Sequence, residues 1–401
     1  MWNIKQEKIK NRIAMKKIII FIILLAFILF AGFWGYIAAL FSKNPFFYPI
    51  LVSISVVSIV ILTFLTLFFG KKMKKILIIS WVLLPLLVVL SYFTFPNFGM
   101  YDQKIPRMSE NDFDLREYQP FIEGTKAVFL NEVSTLALAY DLPILDGATA
   151  LYPLYSAFAQ AVYPEKEYKL NCDDCAVQYS NTMRAHQRFA QKGDVDIIFV
   201  AEPSEDQVGY ALQHGVEYKK TVIGKEAFVF FVNANNPIDN LTVEQIKAIY
   251  SGKITNWKEV GGNNEKIRAF QRNEGSGSQT AFLNFMGEIK PIEPVKANEI
   301  GGMGGIIRMV SDYGNYGNSI GFSFRFFTQA MVNLPDVKIL KVNDIYPDIE
   351  SIKSGQYPIT GNIYAITNAK NTKENVAKFL DWILSKQGQY LVEKTGYCPI
   401  D

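Results

Sequence analysis

Histidine and cysteine are almost missing, with two His and three Cys in 401 residues. His186 and His214 stand at no ligand spacing, so a zinc site lacks a ligand set. Gly-x4-Gly-Lys-Ser/Thr does not occur in the chain, and neither serine of "GSGS" (Gly275–Ser278) has glycines two positions away on both sides. The first absence excludes the nucleotide-phosphate loop, and the second keeps that serine-rich stretch from being the serine elbow of the α/β-hydrolases. No nucleophile and base pair up, so we expect a protein that is not an enzyme and needs no cofactor. Internal repeats and low-complexity tracts are missing as well.

Charge is missing in a patterned way. Ile18 to Ser42, Asn44 to Gly70 and Ile76 to Tyr101 hold no charged side chain. Each run exceeds the roughly 20 apolar residues that span a bilayer. The competing reading of the first run is a secretory signal beginning near Met15, but two more runs follow it and no lipoprotein cysteine site is present. We therefore expect residues 1–101 to form a membrane region of three transmembrane helices, about 18–41, 46–70 and 76–97.

Lysine and arginine set the orientation. Six basic residues precede the first run, and Lys71, Lys72, Lys74 and Lys75 lie between the second and third, whereas the remaining connector holds only Lys43. Basic loops stay cytoplasmic, which predicts a multi-pass protein of the cell membrane. Its N-terminus is cytoplasmic and everything after about Asp102 is extracytoplasmic. Residues 1–100 carry 11 Lys+Arg against one Asp+Glu, while residues 101–401 carry 30 against 37, a net −7. An acidic outer region argues against nucleic acid as a partner. If it holds an anion, local geometry must do the holding.

The outer region starts with 102–124, a charged stretch with Pro and Asn that reads as a linker. Beyond it, short β-rich runs alternate with amphipathic segments, which predicts an α/β architecture. "VDIIFVA" (Val195–Ala201), "EAFVFFVN" (Glu226–Asn233) and "GNIYAIT" (Gly361–Thr367) read as buried strands. "TVEQIKAIYSG" opens with a capping box from Thr242 to Gln245 and ends near Gly252. "ENVAKFLDWILSKQGQYLVEK" puts Val376, Phe379, Leu380, Ile383 and Leu384 on one helical face.

Three strand-to-helix turns are rich in hydroxyls. "RNEGSGSQTAF" (Arg272–Phe282) places Ser276, Gly277 and Ser278 at a helix start beside Arg272, with Glu274 near enough to brace the guanidinium. The first N–H groups of a helix have no internal partner and lie at the positive end of its dipole, so a tetrahedral oxyanion fits there. The plainer reading is a capped turn with a surface arginine. "DGATALYPLYSAFAQAVYP" (Asp146–Pro164) repeats the design around Ala148 and Thr149, and "QYSNTMRAHQRFAQKG" (Gln178–Gly193) repeats it around Ser180.

From about Asp141 to Asp401 the chain resembles the extracytoplasmic phosphate-binding proteins of high-affinity phosphate ABC transporters. "DGATALYPL", "VDIIFVAEPS", "LTVEQIKAIYSGKITNWKEVGG" and "RNEGSGSQTAF" carry the resemblance. It implies a two-lobed type II periplasmic-binding-protein fold joined by two crossing strands, Thr221–Asn233 outward and Tyr357–Thr367 in return. Lobe one would comprise 125–226 plus 358–401, and lobe two 227–357. The phosphate-binding residues it implies are Thr149, Ser180, Arg272, Ser276, Gly277 and Ser278, with Ala148 and Glu274 in support. Glu202 stands where the family has an aspartate that accepts the phosphate's proton, and it is one methylene longer. The competing reading of Glu202 is a surface carboxylate at a helix start.

Cys172, Cys175 and Cys398 allow a disulfide between any two of them. The function these readings imply is membrane-anchored binding of inorganic phosphate and its delivery to ABC permease subunits. The alternative is a ligand-sensing module for phosphate or another oxyanion, signalling through its membrane helices to a partner protein.

Overall fold

A computed structural model describes residues 2–40, 47–94, 107–108, 114–170, 175–191, 193–272, 275–293, 313–332 and 336–400. The chain divides into two compact units, Met1–Ile105 and Pro106–Asp401.

The first unit contains two helical runs, α1 (Trp2–Leu40) and α2 (Phe47–Thr94). Their apolar side chains face outward, with Ile23, Phe27 and Phe30 each more than 60% exposed. Such surface is stable in lipid and costly in water. Polar groups inside the run are satisfied locally, as Ser53, Ser55, Thr63 and Thr66 donate to the carbonyl four residues back. Among the described residues, two segments are long and apolar enough to cross a membrane, Lys5–Ile37 and Tyr48–Phe69. The second and third expected helices both fall within α2. That run cannot be straight. Trp81 Nε1 donates to Thr66 Oγ1 at 3.1 Å, whereas a straight helix sets residues 15 apart at about 22 Å along its axis. The run therefore bends between Thr66 and Trp81.

The second unit is built on a seven-stranded mixed sheet. Its strands are β1 (Leu145–Gly147), β2 (Ile197–Val200), β3 (Tyr218–Asn233), β4 (Arg268–Ala269), β5 (Ser319–Phe324), β6 (Val337–Ile339) and β7 (Thr360–Asn368). The spatial order is β1-β2-β7-β3-β5-β4, with β6 also on β3. The 16-residue β3 joins the two halves: its Tyr218–Ala227 portion pairs with β7, and its Phe228–Val232 portion pairs with β5, both antiparallel. All three strands expected from the sequence form. In β3 the whole run from Ala227 to Val232 is buried, which is why it reads as a continuous apolar stretch.

Helices α3 (Tyr152–Val162), α4 (Thr182–Gln191), α5 (Glu205–Gln213), α6 (Val243–Tyr250), α7 (Gly277–Met286), α8 (Glu374–Ile383) and α9 (Lys386–Thr395) accompany the sheet. Each half has its own aromatic core. Tyr155 stacks on Phe199 at 5.0 Å in the first, and Phe282 stacks on Phe322 at 4.4 Å in the second. The capping box of α6 forms, with Thr242 Oγ1 accepting from Gln245 N–H at 3.1 Å and Gln245 Oε1 accepting from Thr242 N–H at 2.9 Å.

Two expectations need correction. The helical face drawn from Val376 to Leu384 ends one residue early, because Ser385 caps a second helix and Leu384 points outward. The linker is shorter than 102–124. Residues 114–124 pack on α3: Phe121 N–H donates to Gln160 Oε1 at 2.6 Å, and Ser156 Oγ donates to the Tyr118 carbonyl. Residues 102–106 and 109–113 lie outside the described residues.

Candidate functional site: a cleft between the sheet halves

Several turns at strand ends converge on one cavity that is partly open to solvent. One wall is the β1–α3 turn. Gly147 is required there, since a Cβ would overlap the Phe199 carbonyl, and Ala148 N–H donates to that same carbonyl at 2.8 Å. The turn delivers Thr149 into the cavity, 4% exposed, with its Oγ1 lacking any hydrogen-bond partner. A buried hydroxyl without a partner costs about 1–3 kcal/mol. Such a group calls for an explanation.

The opposite wall is the start of α7. Ser276 is its N-cap, its Oγ accepting from Gln279 N–H at 3.2 Å. Gly277 and Ser278 follow as the first helical residues and line the cavity. Ser278 Oγ lies 3.5 Å from Ser323 Oγ, which also lines it. Gln279 braces the turn from behind, its Oε1 accepting from Arg272 N–H at 2.9 Å.

The structure therefore brings Ala148, Thr149, Gly277 and Ser278 together around one space. Others of the expected set stand elsewhere. Arg272 is half-buried and is not among the residues lining the cavity. Glu274 lies outside the described residues. Ser180 donates to Asp146 Oδ2 at 2.7 Å and does not line the cavity; Thr182, two residues on, does. Glu202 is 44% exposed at the side chain and ion-paired with Lys220 at 2.5 Å, outside the cavity lining. Its surface reading is the one the geometry favours.

Asp146 is completely buried and links two of the turns, accepting from Ser180 and from Arg188 Nη1 at 2.8 Å. Burial pushes its carboxyl above the usual range, against the pull of Ser180, the Gly147 amide and Arg188. The carboxylate that does line the cavity is Glu226, in β3, and the sequence reading missed it. Its acidic side chain inside the run "GKEAFVFFVN" was the available signal. Glu226 is 3% exposed, accepts from Ala227 and Phe326 amides at 2.8 and 3.2 Å, and pairs with Arg325 at 3.2 Å. Burial raises its pKa, with Arg325 opposing. Thr182, Ser323 and Asn362 were also missed as lining residues.

Cys175 is disulfide-bonded, whereas Cys398 is buried as a thiol, which removes Cys398 from the possible bridges. Cys172 lies outside the described residues. Among the described residues no cluster of His, Cys, Asp and Glu is arranged to hold a metal ion.

Comparison with known proteins gives a consistent picture. A PBP superfamily domain matches residues 144–387. The phosphate-binding protein PstS of Borreliella burgdorferi is 30% identical over 206 residues, covering 50% of this chain and 72% of that one. PstS of Bacillus subtilis is 26% identical over 265 residues, covering 64% of this chain and 80% of its own. A solved structure of an ABC-type phosphate transport receptor from Vibrio cholerae aligns over 64% of this chain and 100% of that one, with a TM-score of 0.45 and 19% identity. On the domain match and the Borreliella relative together, this chain belongs to the PBP superfamily and, within it, to the PstS family of phosphate-binding proteins.

Proposed function

We propose that this protein binds inorganic phosphate outside the cytoplasmic membrane, in the cleft between its sheet halves, and passes it to the permease subunits of an ABC transporter. The observation that carries the reading is the unpartnered, buried Thr149 hydroxyl, which shares a cavity with the first amides of α7. Neutral N–H and O–H donors at a helix start suit a tetrahedral anion. Arg272 stands just before that helix and supplies positive potential, reaching the ion if the turn tightens around it. Glu226 in the wall favours an anion that still carries a proton, because only such an anion has an O–H to donate to its carboxylate.

The lobes would be 125–226 plus 358–401 and 227–357, with β3 and β7 as the hinge between them. Membrane attachment rests on the exposed apolar surfaces of α1 and α2. We place three crossings in these runs, the bend of α2 forming a cytoplasmic turn with its four lysines.

Calorimetric titration of the full chain in detergent with phosphate and with sulfate tests the reading. Phosphate should bind and sulfate should not compete; Arg272→Ala should weaken phosphate binding by about tenfold. Equal binding of sulfate would remove the phosphate assignment. Copurification of the permease with the tagged protein tests delivery, and its absence under phosphate limitation would count against that step.

A further inference from the structure

The second unit begins at Pro106, ahead of its first helix, so Arg107 and Met108 belong to it and not to the membrane region. These two residues pair antiparallel with Tyr313–Gly314, in the register Arg107↔Gly314 and Met108↔Tyr313. The pair is a sheet of its own, separate from the seven-stranded one.

The chain on either side of this contact leads to different halves. Tyr313–Gly314 runs into Asn315, which is 2% exposed and donates through Nδ2 to the Asp336 carbonyl at 3.0 Å. The Asn315 carbonyl accepts from Asn233 Nδ2, at the end of β3, at 2.9 Å, and β5 starts at Ser319. This is the second half of the sheet. Six residues after Met108, Asp114 caps the short helical turn Leu115–Tyr118. The Tyr118 carbonyl accepts from Ser156 in α3, which belongs to the first half. One stretch of chain is therefore fixed to the second half at 107–108 and to the first at 114–118. The six steps between them span at most about 20 Å. This is a third link between the halves, besides β3 and β7.

Hinge opening carries the second half away from α3, and the link resists that motion while its strands stay paired. Strands of two residues have little stability of their own, so the pairing is readily made and broken.

We propose that the segment entering the second unit from the membrane region is a strap across the two halves, which favours a closed cleft while paired and so couples phosphate affinity to the tether. This inference rests on the phosphate reading of the cleft and adds its regulation. A pull that unpairs the strap lowers the affinity, and by linkage bound phosphate strengthens the pairing by the same factor.

The test uses the full chain in detergent carrying Arg107→Cys and Gly314→Cys. Paired strand positions stand within reach of a disulfide, and Cys398 is buried away from the exchange. Oxidation should lock the strands, and the locked protein should bind phosphate about tenfold more tightly than either single variant under the same oxidant, mainly through slower release. Met108→Cys with Tyr313→Cys makes the same test if the first pair folds poorly. If neither pair forms the bond, the strands are not paired in solution and the inference falls. If the bond forms and phosphate binds no more tightly, the strap does not regulate the cleft, while the phosphate reading stands. If no form of the protein binds phosphate, the phosphate reading falls and the coupling falls with it.

Discussion

Thr149 separates binding from stability in one side chain. Its hydroxyl has no partner in the protein, so Thr149→Val removes no internal hydrogen bond and nearly conserves shape. The variant should melt within a degree or two of the parent, roughly ±0.5 kcal/mol in stability, yet lose phosphate affinity by about tenfold or more. Scanning calorimetry and titration on the same samples check both halves. His186 tests the protein's acid sensitivity. It is buried, it bonds Tyr218 through Nδ1 at 2.8 Å, and burial lowers its pKa to about 4. A depressed histidine stabilises the fold above its unfolded pKa of about 6.5, and that contribution is lost as pH falls towards 4. Asp146 and Glu226 have the opposite sign: their raised carboxyls stabilise below the unfolded pKa and lose that contribution as pH rises. Comparing the parent with His186→Gln isolates the histidine. The variant should lose about 2 kcal/mol less between pH 7 and pH 5 in denaturant melts. At this scale Thr149, Gly277 and Ser278 were legible because hydroxyls and glycines at helix starts follow local rules. Thr182 was not: whether it or Ser180 enters the cleft depends on how Asp146 captures Ser180, a contact 34 residues apart in sequence. Glu226 was hidden for a similar reason, since its partner Arg325 is 99 residues away.

At the scale of elements, the joint between the halves rests on β3. Glu226 sits where β3 changes partners, and it holds Arg325, which follows β5 and donates to the Gly396 carbonyl near the C-terminus. Removing one member of a buried pair leaves the other charged and unpaired. Arg325→Met should destabilise the second unit by about 3–5 kcal/mol, and adding Glu226→Gln should recover part of that loss. Urea melts of the two variants decide it. Most elements were readable from the sequence because their signals are local: the Thr242 capping box, the apolar β2 and β3, and the glycine that ends α6. The break between α8 and α9 was less visible. Only the Ser385 cap marks it, inside an otherwise continuous helical pattern.

At the scale of the whole molecule, the sequence separated an apolar, basic N-terminal region from an acidic outer one, and the division into Met1–Ile105 and Pro106–Asp401 falls at that boundary. It did not show α2 as one bent run, because charge clusters predict where a chain leaves the membrane and not whether its helix is interrupted. Orientation is open to direct test. Protease added to intact cells should release a fragment beginning before Asp114, since residues from Asp114 onward are packed on α3. A second unit left intact by protease outside and cut only after the cells are opened would reverse the topology.

The most direct measurement is the crystal structure of the full chain grown with phosphate. The account predicts tetrahedral density in the cleft, with oxygens about 2.7–3.2 Å from Thr149 Oγ1 and from the Gly277 and Ser278 amides. An empty cleft at saturating phosphate, or an ion bound on another face while Thr149 stays unpartnered, would contradict it.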